Sequence, residues 1–240
     1  MRSRLLMGAL GLVAFSAVAW PAEIWNTKPV REWTREETQQ FLLDSPWTHR
    51  VFVGGSLLDT SAPGDSAGES SGMGESSAAA GRVDERSTVD VPISGQTGAP
   101  FLIEWRSAKI FRRAGAHLTA LQSQTKEVDA EPAPLALYVL SLEGPNLRVF
   151  DAVAEAQLKA SAYLRPKNAK TRVEPAEVRV QKAQDGRVIA VHFVFPRQMD
   201  GQPVISDQEK SVEFSCKAKE LVLKTSFNLA KMTTAQGRDL

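Results

Sequence analysis

Between Gly54 and Gly81, 19 of 28 residues are glycine, serine or alanine. Such a run buries too little apolar surface to offset the entropy of ordering it, so residues 54–88 are predicted to form a disordered linker. As a random coil, the part from 54 to 81 spans roughly 30 Å. The core must therefore come from what flanks it: an N-terminal segment, residues 20–53, and a domain running from 89 to 240.

The N-terminal segment is rich in tryptophan. Trp20, Trp25, Trp33 and Trp47 are four of the chain's five. Thr34-Arg35-Glu36-Glu37 has the form of a capping box, in which Thr34 accepts from the Glu37 N–H and the Glu37 carboxylate reaches back to the Thr34 N–H. A helix is predicted from there to about Leu43, ended by Asp44-Ser45-Pro46. A helix of some nine residues is not stable alone in water, so it must dock on something.

Beyond the linker, Phe101–Arg106 and Leu135–Leu142 read as strands, and Ser107–Gln122 and Phe150–Leu158 as helices. In the first helix Ile110, Phe111, Ala114, Leu118 and Leu121 fall on one face. Val178 and Val180 alternate with polar residues, Asp185-Gly186 signals a turn, and Arg187–Phe195 returns. That returning strand is apolar on both faces, as in a central strand. Two half-buried strands follow, carrying Val212, Phe214 and Cys216, and then Leu221, Leu223, Phe227 and Leu229. We expect an α+β fold, with a mainly antiparallel sheet of five or more strands and two helices. A β-sandwich is the alternative.

The first residues read as an address rather than as structure. Arg2 and Arg4 precede an apolar run from Leu5 to Phe15, and Ala17-Val18-Ala19 supplies a small-x-small cleavage site. Residues 1–19 are thus a predicted signal peptide, with Ala22 as the alternative cut. Export to the periplasm or the medium follows, with no stable membrane span after cleavage. Cys216 is the only cysteine, so no intramolecular disulfide forms. Net charge is +1 and gives no reason to invoke nucleic acid. Arg165, Lys167, Lys170 and Arg172 cluster in an expected loop and read as a solvated turn.

Motifs for chemistry are sparse. His49, His117 and His192 are far apart in sequence, and no ligand spacing suggests a metal site. Gly68-Glu69-Ser70-Ser71-Gly72 matches a nucleophile elbow but lacks the strand and helix that strain the serine into place. Ser123-Gln124-Thr125-Lys126, Ser206-Asp207-Gln208 and Lys224-Thr225-Ser226 echo the elements of penicillin-interacting serine enzymes. Only 16 positions separate Gln208 from Lys224, however, and the third residue of the last element is Ser rather than Gly. No catalytic residue and no cofactor are assigned.

What remains are the aromatics. Tryptophan dominates interface hot spots, so Trp25, Trp33, Phe41 and Trp47 are the candidate contacts for an envelope or extracellular protein or glycan. The alternative is that Trp33, Phe41 and Trp47 cover a sheet face of their own domain.

Trp33-Thr34-Arg35-Glu36-Glu37 followed by Leu43-Asp44-Ser45-Pro46-Trp47 resembles a W-[ST]-x-x-E…D-S-P-W pattern of exported bacterial proteins of unknown function. The tail is similar too, at Phe195-Pro196-Arg197, Val212-Glu213-Phe214 and Phe227–Met232. The chain resembles GWxTD-domain proteins more loosely, since that glycine and aspartate are missing around Trp33-Thr34. Either resemblance implies a secreted bacterial origin and carries over no catalytic residue. The functional expectation is an exported, non-enzymatic binding protein; a small secreted hydrolase and a purely structural domain are the alternatives.

Overall fold

The computed structural model describes residues 23–53, 100–125, 131–145, 147–169 and 171–240. The predicted signal peptide, the Gly/Ser/Ala-rich run and the elbow-like motif lie outside them. The described helices are α1 (Ile24–Thr27), α2 (Arg35–Leu43), α3 (Lys109–Ser123) and α4 (Glu155–Ser161), with short 3-10 turns at Val30–Glu32 and Leu147–Phe150. The strands are β1 (Thr48–Val51), β2 (Phe101–Trp105), β3 (Leu137–Glu143), β4 (Tyr163–Pro166), β5 (Glu177–Lys182), β6 (Val188–Pro196), β7 (Gln198–Met199), β8 (Gln202–Pro203), β9 (Ser211–Ala218), β10 (Leu221–Asn228), β11 (Thr233–Thr234) and β12 (Gly237–Arg238).

The fold is α+β. Five antiparallel strands form one sheet in the order β1-β2-β3-β6-β5, and β10-β9-β4 form a second. Alternation sends Phe101, Ile103, Trp105, Leu140, Leu142, Val191, Phe193 and Phe195 to one face of the large sheet, where all are 0 % exposed. That face meets the small sheet. Phe193 stacks edge-on to Phe214 at 5.2 Å, and Trp105 meets Phe227 at 5.2 Å. Two sheets face to face are also the layering of the sandwich alternative.

The N-terminal segment is part of this domain rather than an appendage. β1 is an edge strand of the large sheet, with Val51 opposite Phe101 and Thr48 opposite Glu104. Residues 52–100 therefore leave and re-enter at adjacent strand ends, as the connection of a β-hairpin. A hairpin connection needs only 2–5 residues. The expected tether between two bodies is, at its two ends, an insertion within one sheet.

α2 carries the predicted capping box: Thr34 Oγ1 accepts from the Glu37 N–H at 3.1 Å, and Glu37 Oε2 accepts from the Thr34 N–H at 2.6 Å. α3 covers the predicted 107–122 closely, but its buried side is Ile110, Phe111, Ala114 and His117, while Leu121 is exposed. Ala108 offers no capping side chain. Instead, the Asp239 carboxylate accepts from the backbone N–H groups of Lys109 and Ile110 at 2.8 and 2.7 Å.

The helix predicted at 150–158 is corrected to α4. Asp151 is held by the Val188 N–H and Val153 is buried, so the chain stays pinned beside β6 until Glu155. Glu155 then accepts from the Val180 N–H, and Lys159 donates to the Ala176 carbonyl. Glu155 thereby occupies a backbone donor of the edge strand β5, which limits pairing with another strand.

Candidate functional site

The side of the large sheet turned away from the small one is mixed: Leu102, Val139, Ala190 and Val194 share it with a row of polar residues. The registers align Thr48, Glu104, Ser141, His192 and Arg179 in one row across all five strands. Neighbouring rows place Glu143 beside Leu102 and Ala190, and Arg106 directly after β2. Ser141 is 0 % exposed and Glu104 6 %, whereas Arg50 and Arg179 at the margins are exposed.

Glu104 is the centre of a bonded network. Its Oε2 accepts from Ser141 Oγ at 3.0 Å and from Arg106 Nη1 at 3.0 Å. The same Arg106 nitrogen donates to Glu143 Oε1 from the next strand. One guanidinium nitrogen therefore serves two carboxylates, tying β2 to β3. Burial and the nearby Glu143 charge push the Glu104 carboxyl up to about 7, with Arg106 and Ser141 pulling the other way. His192 is half-buried, and its Nε2 lies 3.3 Å from Gln181 Oε1. Burial lowers its proton affinity, and the cations Arg106 and Arg179 lower it further against the pull of Glu143.

Chemically, this is a group set that holds a proton and shares a cation. Ser141 lies at the floor with its hydroxyl engaged and no exposed surface, so its oxygen offers no approach to a substrate.

The aromatics expected as partner contacts sit elsewhere. Trp33, Phe41 and Trp47 are buried in the core of their own domain at 3 %, 2 % and 0 % exposure, so their rings are not a contact surface in this fold. Phe41 lies 5.0 Å from Trp33, 5.6 Å from Trp47 and 6.2 Å from Phe111 of α3. Trp47 Nε1 donates to the Asp239 carbonyl at 2.7 Å, and Trp33 Nε1 to the Lys28 carbonyl. Trp25 is half-buried and meets Trp47 edge-on at 5.4 Å. The physical reason is the β1 pairing, which draws the segment onto α3 and the C-terminal tail. The alternative of a local core describes these three rings.

Other singled-out residues have separate places. His49 packs edge-on to Phe227, and His117 Nε2 lies 2.9 Å from the Trp33 carbonyl. Among the described residues, no three His, Cys, Asp or Glu side chains converge to hold a metal. Cys216 is buried, which pushes its thiol up to about 12. Within the basic cluster, Arg165 pairs with Glu213 and Arg172 lies over the Tyr163 ring at 4.4 Å; Lys170 is outside the described residues. Lys224 of the penicillin-type echo also pairs with Glu213, at 2.9 Å.

The sequence reading missed Glu104, Arg106, Ser141 and Glu143 as a group. Their alternation within β2 and β3 was legible, but it reads as two unrelated wet faces until the strands are paired. No protein-family model, no curated protein and no solved structure matches this chain.

Proposed function

We propose that the chain is an exported, non-enzymatic interaction domain whose contact surface is the outer face of its five-stranded sheet. Export rests on the charged, apolar and small-x-small sequence of residues 1–19, together with the resemblance to exported bacterial proteins. The observation that carries the contact surface is the Glu104–Arg106–Glu143 network, a fixed charged array with exposed Arg50 and Arg179 at its margins. Ordered charge on a face turned away from the sheet–sheet core offers a partner both complementarity and register. An envelope or extracellular protein with a charged surface suits it better than a ligand that needs stacking, since the rows described carry no aromatic ring other than His192.

The test compares capture of partners from the native envelope by three forms of the protein. Arg50→Glu with Arg179→Glu on this face abolishes capture under the proposal. Val222→Asp, on an exposed position of the small sheet, leaves it intact. Equal capture by all three sinks the surface assignment. Sequencing the native N-terminus tests export, with Trp20 expected first; a chain beginning at Met1 overturns it.

A further inference from the structure

The network contains one cation for two acids, and one of those acids is enclosed. Glu104 sits between Arg106, just past the end of its own strand, and Ser141 and Glu143 on β3, with His192 of β6 and Arg179 of β5 further along the row and Thr48 of β1 on the other side. With both carboxylates ionised, Arg106 is divided between them. With Glu104 neutral, its O–H can be donated to Ser141, whose hydroxyl rotates to accept, and the guanidinium pairs with Glu143 alone.

We propose that Glu104, Arg106 and Glu143 form a proton-gated charge clamp, in which uptake of one proton by Glu104 hands Arg106 to Glu143 and removes one negative charge from the outer face. The inference deepens the reading of that face as a contact surface and rests on it for its use. The proton itself is read on the isolated protein, so failure of either idea is recognisable without the other.

The sign follows from the direction of the shift. Glu104 titrates near 7 when folded, against 4.5 as its ordinary value, so the folded state holds this proton more tightly than the unfolded one. Its contribution to stability is complete below about 4.5 and is lost as pH rises through about 7. His192 works in the opposite sense: its depressed proton affinity gives stability present above 6.5 that is lost as pH falls. Glu37 and Glu213 are held below the usual carboxylate value and act below 4.5, outside the window.

The experiment uses the full chain and has two readouts. First, the folding constants of wild type and Glu104→Gln are compared by urea unfolding from pH 4.5 to 8, where His192 is common to both and cancels. The ratio of wild type to variant falls by up to tenfold per pH unit, roughly a hundredfold in total. A ratio that does not change with pH overturns the proposal. Second, the Glu104 side-chain carboxyl carbon is titrated by NMR in wild type, Glu143→Gln and Arg106→Gln. The midpoint lies near 7 in wild type, moves down in Glu143→Gln and moves up in Arg106→Gln. A wild-type midpoint near 4.5, or one unmoved by both variants, overturns the clamp even if Glu104→Gln does not fold.

Discussion

At the scale of single residues, Trp33 and Trp47 act as core filler with a polar handle. Trp47 is fully enclosed, touches Trp25 and Phe41, and spends its N–H on the Asp239 carbonyl, close to the other end of the sequence. Asp239 in turn caps α3. Replacing Trp47 with alanine therefore removes a large buried ring and leaves a carbonyl without its donor. Trp47→Ala is expected to cost about 3–5 kcal/mol by urea unfolding, whereas Val222→Ala, exposed on the small sheet, stays within about 0.5 kcal/mol. Equal small effects at both sites contradict the enclosed position of Trp47. Glu104 is an enclosed carboxylate on the outer face of the sheet, tolerated because Ser141 and Arg106 donate to its Oε2.

Among the elements, the β1–β2 pair departs furthest from its ordinary form. Four registered residue pairs hold the two strands together, from Thr48 opposite Glu104 to Val51 opposite Phe101. Closing a connection of about fifty residues rather than about four carries an extra loop entropy of about 2 kcal/mol. Replacing residues 54–98 with a short Asn-Gly turn should raise stability by that amount, measured as an increased urea midpoint with little change in the folded NMR spectrum. A large loss of stability instead means that the excised residues make contacts the domain needs. At the opposite edge, α4 is too short to be stable alone. It is kept by burial of Leu158 and by the bonds from Glu155 and Lys159 to and around β5.

For the whole molecule, the segment preceding the hairpin insertion and the domain following it form one cooperative body. Residues 23–53 supply an edge strand, a helix packed on α3, and Val30, Trp33, Phe41 and Trp47 of the continuous core. Domain stabilities are about 5–15 kcal/mol, and the loss of several such side chains consumes most of that. Deleting residues 20–53 from the mature chain should abolish the cooperative thermal transition seen by near-ultraviolet circular dichroism. A truncated chain that melts as the intact one does places those residues outside the core.

Local chemistry was legible where neighbours in sequence decide the outcome. The capping box of α2, the Asp185-Gly186 turn with Gly186 at φ +83°, and the alternating strands β5, β6, β9 and β10 were readable from short-range pattern. The 147–161 region was not, because Asp151 is held by the Val188 N–H of β6 and Val153 is buried outside any helix. The sequence by itself determined the mixed class, the longer strands β2, β3, β5, β6, β9 and β10 and the composition that interrupts the chain, since propensity and period need no partner; β1 and β4, the latter holding Arg165 that was expected in a loop, were not among them. Which strands lie side by side was decided only by tertiary structure, because register brings together residues far apart in the chain. That pairing took Trp33, Phe41 and Trp47 inward, and it gathered Glu104, Arg106, Ser141 and Glu143 into one charged row system on the opposite face of the sheet.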